Sequence, residues 1–407
     1  MKEEKRMSKL DAIFDSAVNN NLFVNKAVMQ SNYTPENIPH REKQIELVAS
    51  ILAPALRGDK VSNLFIYGKT GTGKTLSVQH VINKLQEKMK QMGQNHIRFL
   101  YVNCKMKQVA DTEYRIIAEL IKQLKSSVPA TGLPTGFVYN RFVELIDDRK
   151  QLLVVVLDEI DQAVKKISDN FIYSLTRMNT ELKNAQISII GISNSLTFMD
   201  GLDPRVRSSL GEEELVFPPY DALQLKDILK ERADRAFKKE VLDEGVIAKC
   251  AAFAAREHGD ARRALDLLRV AGELAERERG KKVALKHIDD ANQKIERDKM
   301  LDIIESEPKQ FQLVLRAIMD LNKQNLEGGI YTGDVFNRYE EVCQKTKNEV
   351  LTQRRVSDIV AEFDMLGIIN ASVISKGRQG RTREIKLMLA ENIKPRADEI
   401  LRDSLGL

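Results

Sequence analysis

Short apolar runs alternate with amphipathic stretches through the first half of the chain. Leu64–Tyr67 leads into a helical period over 74–91, Ile97–Val102 into one over 108–125 and Leu152–Leu157 into one over 169–183; Ile187–Ile192 closes the series. Apolar runs too short for helices, each followed by a helical period, predict strand–helix repeats and therefore an α/β fold, a mainly parallel sheet covered by helices. Pro218-Pro219 ends that pattern. Beyond it, 221–238, 243–257, 260–279 and 285–299 are helical in period with no strand between them, which predicts a small helical lid. Asp260 after Gly259 reads as a stop and restart between two of its helices. The pattern changes again at 301: helices over 309–323, 333–345 and 352–366 precede a strand within Gly367–Ile374, a basic turn and a second strand, Arg383–Leu389. Three helices and a two-stranded ribbon make a winged helix-turn-helix. Residues 1–30 are polar and weakly patterned and read as a partly ordered arm, so the expected segments are arm 1–30, core 31–218, lid 219–300 and winged helix 301–407.

Between the first strand and its helix stands Gly68-Lys69-Thr70-Gly71-Thr72-Gly73-Lys74-Thr75, followed by Leu76. It fits G-x-x-x-x-G-K-[ST] in the strand–loop–helix setting that pattern requires, where backbone N–H groups cradle phosphates at a helix N-terminus. The residues from Gly68 to Leu76 are thus the expected contacts of ATP or GTP. A second run, Val154-Val155-Val156-Leu157-Asp158-Glu159, reads as a buried parallel strand delivering two carboxylates at its C-terminal end. Open parallel sheets bind ligands just outside those ends, so the pair is expected to face Lys74 and Thr75 across the nucleotide. Thr75 is then the direct ligand of Mg²⁺, with Asp158 holding the ion through water. Glu159 is placed to orient or deprotonate the attacking water.

Composition narrows the setting. The 407 residues exceed what one core usually holds, and 43% of them are hydrophobic. A net charge of +5 is too small to announce nucleic acid, so local patches must carry that case. Cys104, Cys250 and Cys343 form no C-x-x-C pair, which points away from disulfides and zinc and toward a reducing cytosol. No apolar run approaches the roughly 18 residues of a membrane span. Met1-Lys2-Glu3-Glu4-Lys5-Arg6 lacks the apolar core of a signal peptide, and no membrane association is expected.

The local patch lies in the winged helix. In Thr352-Gln353-Arg354-Arg355-Val356-Ser357-Asp358-Ile359-Val360-Ala361-Glu362-Phe363, the apolar positions recur at helical spacing and leave Gln353, Arg354 and Ser357 near an exposed N-terminal turn, with Arg355 beside them. A recognition helix presents itself to a major groove in this way. Lys376-Gly377-Arg378-Gln379-Gly380-Arg381-Thr382-Arg383 then packs four cations and two glycines into a wing suited to the backbone or the minor groove. A solvated hairpin has the same composition; a basic helix and a basic wing together favour duplex DNA.

The chain closely resembles the archaeal origin-recognition initiators, which are AAA+ ATPases related to the largest eukaryotic origin-recognition subunit and to its helicase-loading cofactor. The resemblance spans about 30–390 and rests on Tyr33–Glu42, Ile66–Thr75, Asp203-Pro204-Arg205-Val206, Gly259–Asp266 and Thr352–Ser357. By resemblance, Asn194 is the sensor-one asparagine and Arg205 a finger for a neighbouring subunit's nucleotide, with Arg207 the second choice, both in a polar turn. Arg262 projects from a lid helix toward the phosphates. Pro39, His40 and Arg41 become neighbours of the adenine, and Tyr220 and Arg232 surround base and phosphates, although sequence alone makes Tyr220 a hinge-packing aromatic. Residues 104–140 look like the family's helical insertion, whose surface turn Thr131–Gly136 is a further DNA contact. The resemblance implies a cytoplasmic, nucleoid-associated initiator that binds ATP/ADP with Mg²⁺, hydrolyses slowly as a switch, and binds double-stranded origin DNA. It also implies recruitment of the minichromosome maintenance helicase and self-association or association with initiator paralogues on DNA. A paralogue that regulates origins has the same motifs. A clamp-loader-type ATPase shares the core but ends in a helical collar, and in a signalling ATPase the winged helix packs on the core.

Overall fold

The computed structural model describes residues 21–30, 33–106, 110–129, 131–324, 329–375 and 381–407. The chain divides into two compact units, Met1–Ile288 and Asp289–Leu407.

In the first unit, helix α1 (Glu42–Leu52) precedes strand β1 (Leu64–Tyr67), α2 (Lys74–Gln91), β2 (Ile97–Asn103), α3 (Glu113–Gln123), α4 (Thr135–Ile146) and β3 (Gln151–Asp158). Helices α5 (Ile160–Ile167) and α6 (Asn170–Arg177), β4 (Ala185–Ser193), α7 (Pro204–Leu210) and β5 (Glu213–Val216) complete the core. The strands form one parallel sheet in the order β2-β3-β4-β1-β5. Every residue of β3 is buried, as expected of a central parallel strand covered on both faces. One face packs against Ile117, Leu120, Phe142 and Phe171 of the following helices, the other against Val48, Leu52, Val78 and Leu85. Because the strands run the same way, the ends of β1, β3 and β4 open on one edge.

Three core features differ from the pattern reading. Arg205 and Arg207 sit on α7 rather than in a polar turn: the Asp203 carboxylate caps Arg205 N–H at 2.8 Å, Pro204 occupies the first turn, and Val206 and Leu210 are buried. β5 escaped the apolar pattern because it is an edge strand with Glu213 and Glu214 facing out. Helix α4 begins at Thr135, inside the segment expected as a surface turn, and buries Val138, Phe142 and Ile146.

The lid consists of α8 (Ala222–Ala236), α9 (Val246–Arg256) and α10 (Ala261–Arg277). Asp260 caps α10, accepting from Arg262 N–H at 2.8 Å and Arg263 N–H at 3.3 Å, so the stop and restart at Gly259-Asp260 is real. The described part of the arm, residues 21–30, is docked on the lid. Phe23 packs on Phe237 with ring centroids 4.3 Å apart, Val24 N–H donates to Ala236 O at 2.7 Å, and Leu22 N–H donates to Glu276 Oε1 at 2.7 Å. Residues 1–20 lie outside the described residues.

Helix α11 (Leu285–Ser306) leads into the second unit: α12 (Lys309–Lys323), β6 (Ile330–Tyr331), α13 (Thr332–Thr346), α14 (Gln353–Met365), β7 (Ile369–Ser375), β8 (Arg381–Leu387) and α15 (Lys394–Leu405). The expected two-stranded ribbon is a three-stranded antiparallel sheet, β6-β8-β7, because Ile330 and Tyr331 pair with Ile385 and Glu384. Two residues are too short to announce a strand by alternation. α14 buries Val356, Ile359, Val360 and Phe363 against this core, and α15 adds Ala397, Leu401 and Leu405.

Candidate functional site

The loop from Gly68 to Gly73 joins the end of β1 to the start of α2. Gly71 and Gly73 take φ of +68° and +89°, and neighbours close in on both: an added Cβ would lie 1.7 Å from Asp260 Oδ1 at Gly71 and 2.9 Å from the Tyr220 hydroxyl at Gly73. Only glycine accommodates both the backbone and the approach. The lid reaches the loop here, since Ala261 N–H also donates to Gly71 O at 3.2 Å. Lys74 is 5% exposed and donates to Gly68 O at 2.7 Å, Lys69 O at 2.7 Å and Asn194 Oδ1 at 2.9 Å. Burial pushes its ammonium down to about 8 against the pull of Asp158, and the nearby Arg262 charge pushes the same way. A phosphate oxygen entering the loop competes for those three protons and relieves that cost.

A cavity of about 330 Å³ opens beside the loop, lined by residues 70–76, Asp158, Glu159, Asn194 and Arg262 at one end and by Tyr33, Pro39, Tyr220 and Arg232 toward the other. Asp158 Oδ2 accepts from the Thr75 hydroxyl at 3.0 Å and the Tyr101 hydroxyl at 2.5 Å, and Oδ1 accepts from Glu159 N–H at 3.0 Å. Burial, then the Asp158 charge, hold the Tyr101 phenol well above its ordinary value and keep it a donor. Glu159 takes φ of +53°, uncommon outside glycine, at the junction between β3 and α5. Its carboxylate is 3.9 Å from Lys105 Nζ.

Among the described residues no cluster of three or more His, Cys, Asp or Glu side chains is arranged to hold a metal on its own. Mg²⁺ with nucleotide needs fewer protein groups, because phosphates and water supply most ligands. The Thr75 hydroxyl and Asp158 carboxylate, already 3.0 Å apart on the cavity wall, fit that requirement.

Asn194 is held from behind. Asp161, 4% exposed, accepts from the Ser193 hydroxyl at 3.0 Å and Asn194 N–H at 3.3 Å. Pro39 lines the cavity, but His40 and Arg41 lie outside its lining, as do Gly68 and Lys69. His40 Nε2 is 3.2 Å from Asp227 Oδ2 on the lid. Arg41 is a buried strut: Nε donates to Thr72 O at 2.7 Å, Nη2 to Pro218 O at 2.5 Å, and the guanidinium stacks on the Tyr220 ring at 3.8 Å. Tyr220 therefore packs in the hinge and lines the cavity at once. Arg232 stacks over Tyr33 at 4.4 Å and donates to Val28 O at 3.0 Å, fixing the arm. Arg205 is not among the residues that line its own chain's cavity; Asp203 holds it at 3.0 Å and it lies over the Tyr173 ring at 5.2 Å. Arg207 is 3.9 Å from Asp200. The pattern reading missed Tyr101, Asp161, Tyr33 and Asp260 as site residues, since each acts through a partner distant in sequence.

In the second unit Thr352 caps α14, and Gln353, Arg354 and Arg355 stand exposed on its first turn. Arg355 is 3.9 Å from Asp358. Ser357 is half-buried, and its carbonyl accepts from Arg383 Nη1 at 3.0 Å, so that wing arginine braces the helix. Arg381 pairs through its backbone with Ser375, while its side chain, together with Lys376 and Arg378, lies outside the described residues. No described helix is long and apolar enough to cross a membrane.

Three family models match in order along the chain: AAA domain over 59–199, Cdc6 AAA+ ATPase-type lid domain over 226–293, and CDC6 C-terminal winged helix domain over 302–394. The chain is 51% identical over 395 residues to the ORC1-type DNA replication protein of Pyrococcus furiosus, covering 95% of this chain and 92% of that one. It is 49% identical over 380 residues to ORC1-type DNA replication protein 1 of Methanosarcina mazei, covering 93% and 91%. Among solved structures it is similar to that of the Aeropyrum pernix ORC1 protein in complex with DNA, with a TM-score of 0.83 and 43% identity over 94% of this chain and 97% of that one. With a AAA+ core, its lid and a C-terminal winged helix in one chain, and half its residues shared with these relatives over nearly their full length, the protein belongs to the ORC1-type DNA replication proteins.

Proposed function

We propose that this protein is a replication initiator that binds origin duplex DNA and uses ATP binding and slow hydrolysis as a switch. The observation that carries the reading is the closed chain of contacts from the phosphate loop to the lid: Ala261 N–H on Gly71 O, Asp260 against Gly71, and Arg41 between Thr72 O, Pro218 O and Tyr220. Phosphates entering such a loop change what holds the lid. Lys74 and the loop N–H groups bind the phosphates, Thr75 and Asp158 hold Mg²⁺, and Arg262 faces the phosphate end. The ion, when bound, neutralises phosphate charge. Glu159 takes a proton from, or orients, the attacking water, and Asn194, braced by Lys74 and Asp161, helps fix its position.

DNA binding is assigned to α14 and the wing, supported by the exposed Gln353, Arg354 and Arg355 and by the A. pernix relative's complex. Recruitment of the replicative helicase, action with other initiator copies and a place in the cytoplasm on the nucleoid complete the reading. Its test is titration of the full chain into duplex DNA under ATP and under ADP across several salt concentrations. The expected result is salt-dependent binding whose affinity for origin duplex differs between the two nucleotides; equal affinity under both overturns the switch.

A further inference from the structure

Besides Thr75, the cavity wall holds a second hydroxyl whose partner is the metal-side carboxylate. Tyr101 projects from β2, one of the two edge strands of the sheet, and donates to Asp158 Oδ2 at 2.5 Å, the same oxygen that the Thr75 hydroxyl meets at 3.0 Å. With Oδ1 occupied by Glu159 N–H at 3.0 Å, the carboxylate is fixed in rotation by three donors from three elements. Tyr101 is itself fixed on the open edge. Its N–H donates to Gln123 Oε1 at 2.9 Å and its carbonyl accepts from Gln123 Nε2 at 2.7 Å, so a side-chain amide from the last turn of α3 stands in for the missing neighbouring strand. The hydrogen bonds thus run without a gap from α3, in the helical insertion, through Gln123 and Tyr101 to Asp158 and Thr75.

Resting on the reading that this cavity takes Mg²⁺ with nucleotide, we propose that Tyr101 is a positioning residue for Asp158 and that Gln123 ties the placement of α3 to that corner. Partners that orient metal-holding groups without touching the metal commonly control its affinity. Ring packing alone predicts something different: a tyrosine that merely fills space affects nucleotide affinity equally with and without the ion, and phenylalanine replaces it.

Calorimetry of the full chain with a non-hydrolysable ATP analogue, in excess Mg²⁺ and in EDTA, separates the two. For Tyr101→Phe the affinity in EDTA should match the wild type while the gain conferred by Mg²⁺ falls roughly tenfold. Gln123→Ala should shift the gain in the same direction, and the double variant should equal Tyr101→Phe, because the amide acts through the tyrosine. A wild-type Mg²⁺ gain in Tyr101→Phe, or an equal loss in both conditions, overturns the positioning role. A wild-type gain in Gln123→Ala overturns the tie to α3. A wild type that binds the analogue equally with and without Mg²⁺ contradicts the underlying metal reading, and the inference goes with it.

Discussion

Lys74 is a buried cation with all three protons given to loop carbonyls and Asn194, and Glu159 is a carboxylate held at a left-handed backbone position two strands away from the loop. Their environments predict separable losses. Lys74→Ala should abolish ATP binding in calorimetry, because the loop loses the charge that meets the phosphates. Glu159→Gln should retain ATP affinity and lose hydrolysis by about 100-fold or more, since a residue serving only the water acts on the chemical step. Equal ATP affinity in wild type and Lys74→Ala contradicts this assignment of the pocket. The loop and the Asp158-Glu159 pair were legible in the sequence because each is a contiguous string whose spacing the phosphate chemistry dictates. Tyr101 and Asp161 were not legible: each is an ordinary strand or helix residue until the fold places it against Asp158 or Asn194.

At the scale of elements, caps and braces decide how firmly lid and reading helix are held. Asp260 satisfies two N–H groups at the start of α10 and lies against Gly71. Asp260→Ala should cost about 1 kcal/mol in thermal or denaturant unfolding, the usual cost of a lost N-cap. On the winged helix, removing Arg378 should weaken binding to every duplex and lower the salt slope by about one unit, one phosphate contact fewer. Removing Arg354 should instead cost about 1–3 kcal/mol on its preferred site and less elsewhere, if it reads a base edge. Titrations of both variants against origin and random duplex check this; a wing variant with unchanged slope contradicts it. The same unit carries an acid-sensitive joint. Burial raises the Asp398 carboxyl, but Lys323, Arg316 and Arg402 outweigh it and hold the group below the usual range. A depressed folded value stabilises the unit above the unfolded value of about 3.9 and is lost as pH falls through the folded one. Asp398→Asn should therefore flatten the acid loss of stability in thermal melts below about pH 4. Periodicity gave most of the long helices to within a turn or so, but it stopped α11 at 299, seven residues short of its end at Ser306. It missed β5, β6 and α7, where an edge position, a two-residue length or a capping aspartate governs the structure rather than an apolar stripe, and it missed α4, whose stripe of Val138, Phe142 and Ile146 begins within the turn-forming run Thr131–Gly136.

For the whole molecule, the proposed reading has Arg205 act on the nucleotide of a neighbouring copy. This arginine is exposed on α7, braced by Asp203 and Tyr173, and absent from its own chain's cavity. Mixing Arg205→Ala with Lys74→Ala protein should restore part of the hydrolysis that each lacks, measured as phosphate release under conditions where the wild type associates; an Arg205→Ala protein that hydrolyses normally there contradicts a finger in trans. Whole-chain order of core, lid and winged helix was readable because each has its own period, whereas the docking of residues 21–30 on the lid depends on contacts between segments far apart in sequence. The central claim, an initiator that acts at origins, is tested most directly by crosslinking the protein to DNA in growing cells and mapping the bound sites across the genome. The account predicts sharp enrichment at the sites where replication starts. Binding spread evenly over the chromosome, or peaks that never coincide with replication starts, would contradict it.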